Sequence, residues 1–335
     1  MKKVTMADVA ERAGVSKSTV SQFINNRYEY MAESTKLRIE DAIRELGYIP
    51  NYVAKSLKQK SMSTVGVIVA NILHAFSTEI IRSIEDECER NGFHLFVCNA
   101  DDQPEKERSY IDMLIAKQVD GLIIFPTNGN EDYYERLKLA NFPIVFMDRK
   151  IDHHTLYPTI LLDNEAAARM AVEQLVRCGH RKVGMVSTSI EKKVTPRMER
   201  ISGFRKAMSA HGFDVPDEWI IAVRAPDIIG RLKQVWSSGD RPAAFFAAND
   251  LSLIELLKFV KQEGLHIPED VGVIAIDDSP FHEVAATPLT VIRQPTFEMG
   301  KAAVEKLFSL IGGAPLDQVC EEQRFAPELV ERDSI

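Results

Sequence analysis

The stretch Val4–Ser21, with the sequence VTMADVAERAGVSKSTVS, contains two short helical patterns separated by a glycine. Thr5 and Asp8 have the spacing of a capping box at the start of the first helix. Gly14 favours the end of that helix, and Ser16 can cap the second. Two helices joined in this way predict a helix-turn-helix unit that binds DNA. The alternative is an ordinary helical hairpin with charged residues on its outer face.

In a helix-turn-helix unit, the start of the second helix enters the major groove and faces the base edges. Base readout is therefore assigned to Lys17, Ser18 and Gln22. A lysine can donate to guanine O6 and N7, and a glutamine can bind adenine N6 and N7. Short polar side chains suit the phosphate oxygens of the DNA backbone. These residues are Thr5, Ser16, Thr19, Ser21 and Asn25.

A third helical pattern begins near Ser34 and ends at Gly47. It completes a predicted all-α head over residues 1–48. Residues 49–62 are predicted to contain a short helical segment followed by a linker. Residues 1–60 hold 11 Lys and Arg against 7 Asp and Glu, a net charge of +4, although the whole chain carries −8. The remaining residues carry −12, and a basic head on an acidic body favours a local nucleic-acid contact over a solvated charged face.

From Val65 onward, ten short apolar runs alternate with amphipathic helical patterns. This alternation predicts parallel sheets covered by helices on both faces. Ten strands are too many for one sheet in a chain of this length, and the pattern restarts at His180. The predicted fold class is therefore an all-α helix-turn-helix head plus an α/β core of two doubly wound parallel-sheet subdomains.

The four cysteines, Cys88, Cys98, Cys178 and Cys320, form no pair at metal-binding spacing. Scattered cysteines of this kind predict a reducing, cytoplasmic location, with no cofactor and no metal. No apolar run approaches the length of a membrane span, and no apolar segment typical of a secretion signal follows Met1. The sequence therefore predicts no membrane association.

The head and core together closely resemble the lactose/galactose repressor (LacI/GalR) family over nearly the whole chain. The resemblance is carried by Val4–Ser21, Ala42–Asn51, Val53–Leu57, Asp163–Ala167, Gly179–Arg181, Ala248–Asp250, Ile267–Asp270, Asp277–Asp278 and Pro288–Pro295. It implies a core like that of periplasmic sugar-binding proteins, spanning residues 63–335. Its N-subdomain would comprise about 63–160 plus 293–322, and its C-subdomain about 161–290 plus 323–335.

The resemblance also implies a hinge helix that enters the minor groove when two copies of the chain bind DNA. Leu57 matches the family's apolar wedge, Asn51 would cap the hinge, and Val53, Ala54 and Lys58 would lie beside it. A wedge of this kind unstacks and bends the duplex. The alternative is that Leu57 is only an apolar residue of the linker. The expected partners are operator DNA, a carbohydrate-like effector and a second copy of the chain, with Phe76–Arg90 and Leu251–Glu263 as dimer faces.

Ligands of open α/β sheets bind beyond the carboxyl ends of the strands. The expected effector residues follow the apolar runs, and four of them, Asp148, Arg200, Asn249 and Asp277, also match family positions. The complete set is Phe76, Ser77, Asp148, Arg197, Arg200, Asn249 and Asp277. Structural roles remain open at this point: Asp148 as a cap, Asp277 in a turn, and Arg200 in a surface pair with Glu199 or Glu191.

Five basic residues near this end of the core favour an anionic effector, such as a sugar acid or a sugar phosphate. They are Arg149, Lys193, Arg197, Arg200 and Arg224. The alternative is that most of them face solvent. The chain lacks the glycine-rich phosphate loops and the nucleophile elbow of enzymes on such folds. We therefore expect a transcriptional regulator, a repressor of carbohydrate use, with a sugar-binding or enzymatic α/β protein as the competing class.

Overall fold

In a computed structural model, the chain forms two compact units, residues 1–62 and residues 63–335. The structure describes residues 4–48, 62–151 and 156–335. The hinge assignments lie outside the described residues, and they comprise Asn51, Val53, Ala54, Leu57 and Lys58.

Residues 4–48 of the first unit, which the structure describes, form the three expected helices. The Thr5 hydroxyl accepts from the backbone N–H of Asp8, whose carboxylate accepts from the backbone N–H of Thr5, so the predicted capping box is present. Gly14 adopts the left-handed conformation, with φ at 64°, and its N–H donates to the carbonyl of Ala10. This turn allows Val20 to pack, fully buried, against the first and third helices. The helices are α1 (Met6–Ala13), α2 (Lys17–Ile24) and α3 (Glu33–Leu46).

The described residues of the second unit form two six-stranded sheets, and the first has the strand order β11-β5-β4-β3-β1-β2. All its pairings are parallel, and its central strands are buried, as expected for a sheet covered on both faces. Its strands are β1 (Thr64–Val69), β2 (His94–Asn99), β3 (Gly121–Ile124), β4 (Ile144–Met147), β5 (Thr159–Leu162) and β11 (Glu322–Phe325). Its helices are α4 (Ala75–Arg90), α5 (Pro104–Ala116), α6 (Glu131–Leu139), α12 (Thr296–Ile311) and α13 (Leu316–Val319).

The second sheet has the order β12-β10-β9-β8-β6-β7, and only its edge pair, β10 with β12, is antiparallel. The predicted fold class is therefore confirmed. The strands are β6 (Val183–Thr188), β7 (Ile220–Val223), β8 (Ala244–Ala247), β9 (Gly272–Ile276), β10 (Thr290–Arg293) and β12 (Glu328–Val330). The helices are α7 (Asn164–Arg177), α8 (Thr195–Ala210), α9 (Ala225–Trp236), α10 (Asp250–Glu263) and α11 (Pro280–Glu283), with a 3₁₀ turn at Asp217–Trp219.

The chain passes between the two sheets three times, after β5, after β10 and after β11. The expected subdomain limits at 160, 290, 293 and 322 fall within these strands. They shift by a few residues, because hydrogen bonding places each strand as a whole in one sheet. Among the described residues, no helix has the length and apolar character needed to cross a membrane.

Candidate effector site and DNA-binding face

A small cavity of about 50 Å³ lies between the subdomains, at the carboxyl ends of strands from both sheets. It is called the inner cavity below. The structure brings all the expected effector residues to its wall. These are Phe76, Ser77, Asp148, Arg197, Arg200, Asn249 and Asp277. The arrangement follows from topology, since parallel strands deliver the residues that follow them to one edge of the sheet.

Arg200, on α8, is buried, with 4% of its surface exposed. Its Nε donates to Oδ1 of Asn164 at 2.8 Å, and its Nη1 donates to the carbonyl of Ala248 at 2.6 Å. Asn164 also donates to Glu199, so Glu199 reaches Arg200 only through that amide. The surface pair of Arg200 with Glu199 or Glu191 is therefore wrong, because the arginine points inward from its helix.

Asp277 follows β9 and is 6% exposed. Burial raises the pKa of its carboxyl to about 6, although the nearby Arg200 favours the charged form. The amide Nε2 of Gln294 donates to Asp277 Oδ1 at 2.6 Å, while Oε1 of Gln294 is buried without a hydrogen-bond partner among the described residues. The pair therefore offers a ligand a carboxyl group and a free amide oxygen.

Asp148 follows β4, and burial raises the pKa of its carboxyl as well. Asp148 and Asp277 both have positive φ, at 66° and 76°. Aspartate is one of the few residues that tolerate this left-handed conformation, which is costly for other side chains. Both strands thus end in a sharp turn that carries a carboxylate at the inner cavity.

Asn249 has a structural role as well as a place at the inner cavity. It caps α10, since its side-chain oxygen accepts from the backbone N–H of Ser252 at 2.9 Å. Its amide nitrogen donates to the Thr188 hydroxyl at 3.2 Å. Phe76 packs edge-on against Phe125 at 6.2 Å between ring centroids, and both rings line the inner cavity. The wall therefore combines an apolar side with fixed polar groups, as ligand sites usually do.

The basic residues at the cleft are mostly paired. Arg149 Nη1 donates to Asp102 Oδ1 at 2.6 Å, and its Nε lies 3.6 Å from Asp148 Oδ2. Arg197 donates to the carbonyl of Ser189 at 2.8 Å. Arg224 is exposed, pairs with Asp227, and does not line the inner cavity. The sequence-based preference for an anionic effector is weakened, because carboxylates already balance the buried guanidinium groups.

Sequence reasoning missed a contact that joins the two subdomains beside the inner cavity. His74 Nδ1 and Asp250 Oδ1 lie 2.5 Å apart, and Asp250 Oδ2 accepts from the backbone N–H of Ala75 at 2.9 Å. Although burial disfavours its charge, the hydrogen bond from His74 holds the pKa of Asp250 below its usual value. Gln294 follows β10 directly, so its position in the sequence could have identified it as a residue of the inner cavity. No sequence pattern, in contrast, relates His74 to Asp250.

On the head, Lys17, Ser18 and Gln22 are all exposed on α2, whereas Val20 of the same helix is buried. Within the described residues, the side chains of Lys17 and Gln22 form no hydrogen bond and are available to DNA. The Ser18 hydroxyl lies 2.7 Å from that of Ser16, which caps α2.

Some of the side chains expected at the phosphates already have partners in the head. The amide of Asn25 donates to the carbonyl of Ser21 at 2.7 Å, and the Thr5 hydroxyl belongs to the α1 capping box. Thr19 lies beside the Ser16 hydroxyl, at 2.8 Å. These side chains hold the helix ends, and any phosphate contact would add to that role.

Comparison with known proteins agrees with this architecture. Residues 5–51 match the family described as bacterial regulatory proteins, lacI family, and residues 172–335 match the periplasmic binding protein-like domain. The chain is 44% identical to a probable HTH-type transcriptional regulator, EndR, of Paenibacillus polymyxa, over 99% of this chain and 98% of that protein. It is 37% identical to the HTH-type transcriptional repressor PurR of Vibrio vulnificus, with the same coverage. A crystal structure of the Lac repressor bound to ONPG in the repressed state superposes with a TM-score of 0.84, at 27% identity, over 100% of both chains.

A helix-turn-helix head on a periplasmic-binding-like core defines a DNA-binding transcriptional regulator and not an enzyme. The similarity extends over almost the full length of both EndR and PurR. The chain belongs to the lacI family of bacterial regulatory proteins.

Proposed function

We propose that this regulator is a cytoplasmic repressor of a carbohydrate-use operon. It binds a pseudo-palindromic operator as a homodimer and responds to a small sugar-like effector in the inner cavity. The observation that carries this proposal is the convergence of polar side chains from both subdomains on one cavity, in a chain that also has a helix-turn-helix head. No cofactor or metal is part of the proposal.

Operator recognition is assigned to the exposed face of α2. Lys17 and Gln22 read base edges in the major groove, and Ser18 assists them. Thr5, Ser16, Thr19, Ser21 and Asn25 contact the backbone at the ends of the helices. By family resemblance, Leu57 enters the minor groove. The operator is palindromic because a two-fold protein presents one head to each half-site.

Exposed apolar residues of the core support the homodimer. Large apolar side chains remain in solvent near the start of α4, on α10 and α11, and at the start of α12. They are Ile72, Leu73, Ile254, Phe281, Val284 and Phe297. Contiguous exposed apolar patches mark protein contact surfaces, whereas single exposed apolar residues are common. The α4 and α10 regions are also those that the family resemblance assigns to the dimer.

The balance of charge favours a neutral sugar over a sugar acid or a sugar phosphate. Asp148 and Asp277 lie close enough to Arg200 to influence its ionisation, and Arg149 is paired with Asp102. An additional anion would therefore compete with carboxylates that are already in place. Sugar hydroxyls, in contrast, both donate and accept, which matches carboxylate, amide and guanidinium groups on one wall.

The effector acts through the relation between the subdomains. A ligand at the inner cavity contacts Asp148 from one subdomain and Arg200, Asn249 and Asp277 from the other, so it stabilises one arrangement of the two. By family resemblance, the formation of the hinge helix on operator DNA is the two-state element that the operator and the effector both influence.

The test has two stages. Selection of duplexes from a random pool with the full chain should yield a two-fold symmetric site, and Leu57→Ala should weaken binding to that site without changing effector affinity. Sugars, sugar acids, sugar phosphates and purine bases are then added to the protein–operator complex. Purine bases are included because several relatives carry the name PurR. Failure to select any duplex would refute DNA binding, and a response to purine bases alone would refute the carbohydrate effector.

A further inference from the structure

A second and larger cavity adjoins the inner cavity. Its volume is about 410 Å³, against about 50 Å³ for the inner cavity, and it is called the outer cavity below. Ligand sites usually measure roughly 300–1,000 Å³, and one water occupies about 30 Å³ of liquid. The inner cavity is therefore smaller than most ligand sites, whereas the outer cavity is of ligand size.

Arg149 lies at the junction, since it lines both cavities together with Val194. Arg149 is 6% exposed, and its Nη1 is held by Asp102. Its Nε is buried, donates no hydrogen bond among the described residues, and lies 3.6 Å from Asp148 Oδ2 in an ion pair. Arg149 therefore spans the junction, and a ligand that extends from one cavity into the other would pass its guanidinium group.

Both subdomains form the outer cavity. Asn128 donates to the carbonyl of Lys192 at 2.8 Å, and Lys192 Nζ donates to the carbonyl of Asp102 at 2.6 Å. The loop that carries Asn128 is held by a hydrogen bond to a buried side chain, since Glu107 accepts from the backbone N–H of Thr127 at 2.7 Å. The site is thus formed by groups of both subdomains, and its occupant would hold the subdomains together.

The wall of the outer cavity suits a neutral polyhydroxylated unit. Four basic and three acidic side chains line it, so it has almost no excess charge for an anion. They are Arg149, Lys150, Lys192, Lys193, Asp102, Glu131 and Glu191. Lys150 is also paired with Glu322 at 3.2 Å. Pro104, Pro126 and Val194 add apolar surface against which the C–H face of a sugar ring can pack.

We propose that the outer cavity is a subsite for a second sugar unit, so that the effector is a disaccharide or a longer saccharide and not a monosaccharide. One unit faces the inner cavity, and the glycosidic link passes Arg149. This inference rests on the proposed carbohydrate effector and specifies its size.

Calorimetric titration of the full chain with matched sugars tests the proposal. The pairs are glucose with cellobiose, xylose with xylobiose, mannose with mannobiose and galactose with lactose, and glucose 6-phosphate and hypoxanthine are added as single probes. We expect one disaccharide to bind at least about tenfold more tightly than its monosaccharide. A monosaccharide or sugar phosphate that binds as tightly as the best disaccharide would overturn the subsite alone. Binding of hypoxanthine and of no saccharide would overturn the carbohydrate effector itself.

Variants locate the second unit. Lys192→Ala and Asn128→Ala should each reduce the preference for the disaccharide over its monosaccharide by about 3- to 10-fold, the effect of one lost hydrogen bond. Lys182→Ala is the matched control. Lys182 is exposed and pairs with Asp240, and it lies just before the amino end of β6, whereas the outer cavity lies beyond the carboxyl ends of the strands. An unchanged preference in both cavity variants would overturn the placement. If neither variant folds, the comparison of ligand pairs with the unmodified protein still decides the proposal.

Discussion

Asp277→Asn is the most direct test of how charge is arranged in the inner cavity. The substitution preserves the size of the side chain and the oxygen that accepts from Gln294 at 2.6 Å. It removes a carboxyl group whose pKa burial raises from 3.8 to about 6. Between these two pH values, the folded protein binds more protons at Asp277 than the unfolded chain does. The stability of the unmodified protein therefore falls as the pH rises through this window.

The size of the effect follows from the pKa difference. The difference is about two pH units, and each unit corresponds to 1.36 kcal/mol, so the carboxylate lowers the free energy of unfolding by about 3 kcal/mol above pH 6. Asparagine does not titrate. Relative to the unmodified protein, the Asp277→Asn variant should therefore gain about 3 kcal/mol of stability between pH 4 and pH 7.

Urea unfolding followed by tryptophan fluorescence measures this difference. The chain has two tryptophans, Trp219 and Trp236, and both lie in the second compact unit, so the signal reports on the core. Measurements at pH 4, 5, 6 and 7 use one protein concentration, because association alters apparent stability. Asp214→Asn, at an exposed position, is the control and should stay within about 0.5 kcal/mol of the unmodified protein.

The reasoning would be refuted if the stability difference between Asp277→Asn and the unmodified protein were constant from pH 4 to pH 7. It would also be refuted if the variant became relatively less stable as the pH rose. Either result would mean that Arg200 compensates the carboxylate fully, and burial would then not dominate the ionisation of Asp277.

Three further outcomes are expected. Arg200→Ala should lower the free energy of unfolding by about 3 kcal/mol, because the hydrogen bonds of its buried, charged guanidinium to Asn164 and to the Ala248 carbonyl are lost, and a loss below about 1 kcal/mol in the same assay would contradict this. Gln22→Ala should relax the preference for one base in each half-site by about 1–3 kcal/mol in a binding selection, whereas a uniform loss would indicate a phosphate contact. Gly203→Ala should destabilise the core by about 1–3 kcal/mol, because the added Cβ would lie 2.8 Å from the backbone of Glu165. Gly239→Ala, which meets nothing within 4 Å, should have little effect, and equal losses in the two variants would argue against a clash.

The two strands that the sequence analysis did not predict, β11 and β12, are short strands at the edges of the sheets. The ten apolar runs all contain strands of the two sheets, but β11 and β12 were not predicted. The sequence of β11, EQRF, is polar, and its exposure alternates as expected at the edge of a sheet. Such strands form because a neighbouring strand supplies hydrogen bonds, as β5 does for β11. No local sequence pattern predicts that pairing.

The effector residues could be anticipated because most of them depend on position along a strand. Asp148 and Asp277 each follow a buried parallel strand, and such strands gather at one edge of their sheet. The hydrogen bonds and ion pairs between distant segments could not be anticipated in this way. Arg200 bonds to Asn164, 36 residues away, and His74 bonds to Asp250, 176 residues away. Those partners depend on how two sheets face each other.

The sequence by itself determined the three-helix head, the alternation of strands and helices in the core, and the edge at which the polar residues collect. These features follow from local capping, from helical and strand periodicity, and from the burial of apolar runs. Only the tertiary structure decided which charges are paired, that the inner cavity is nearly neutral, and that a larger cavity adjoins it. Charge pairing and cavity size depend on distances between segments far apart in the chain, and those distances exist only after the two subdomains have packed together.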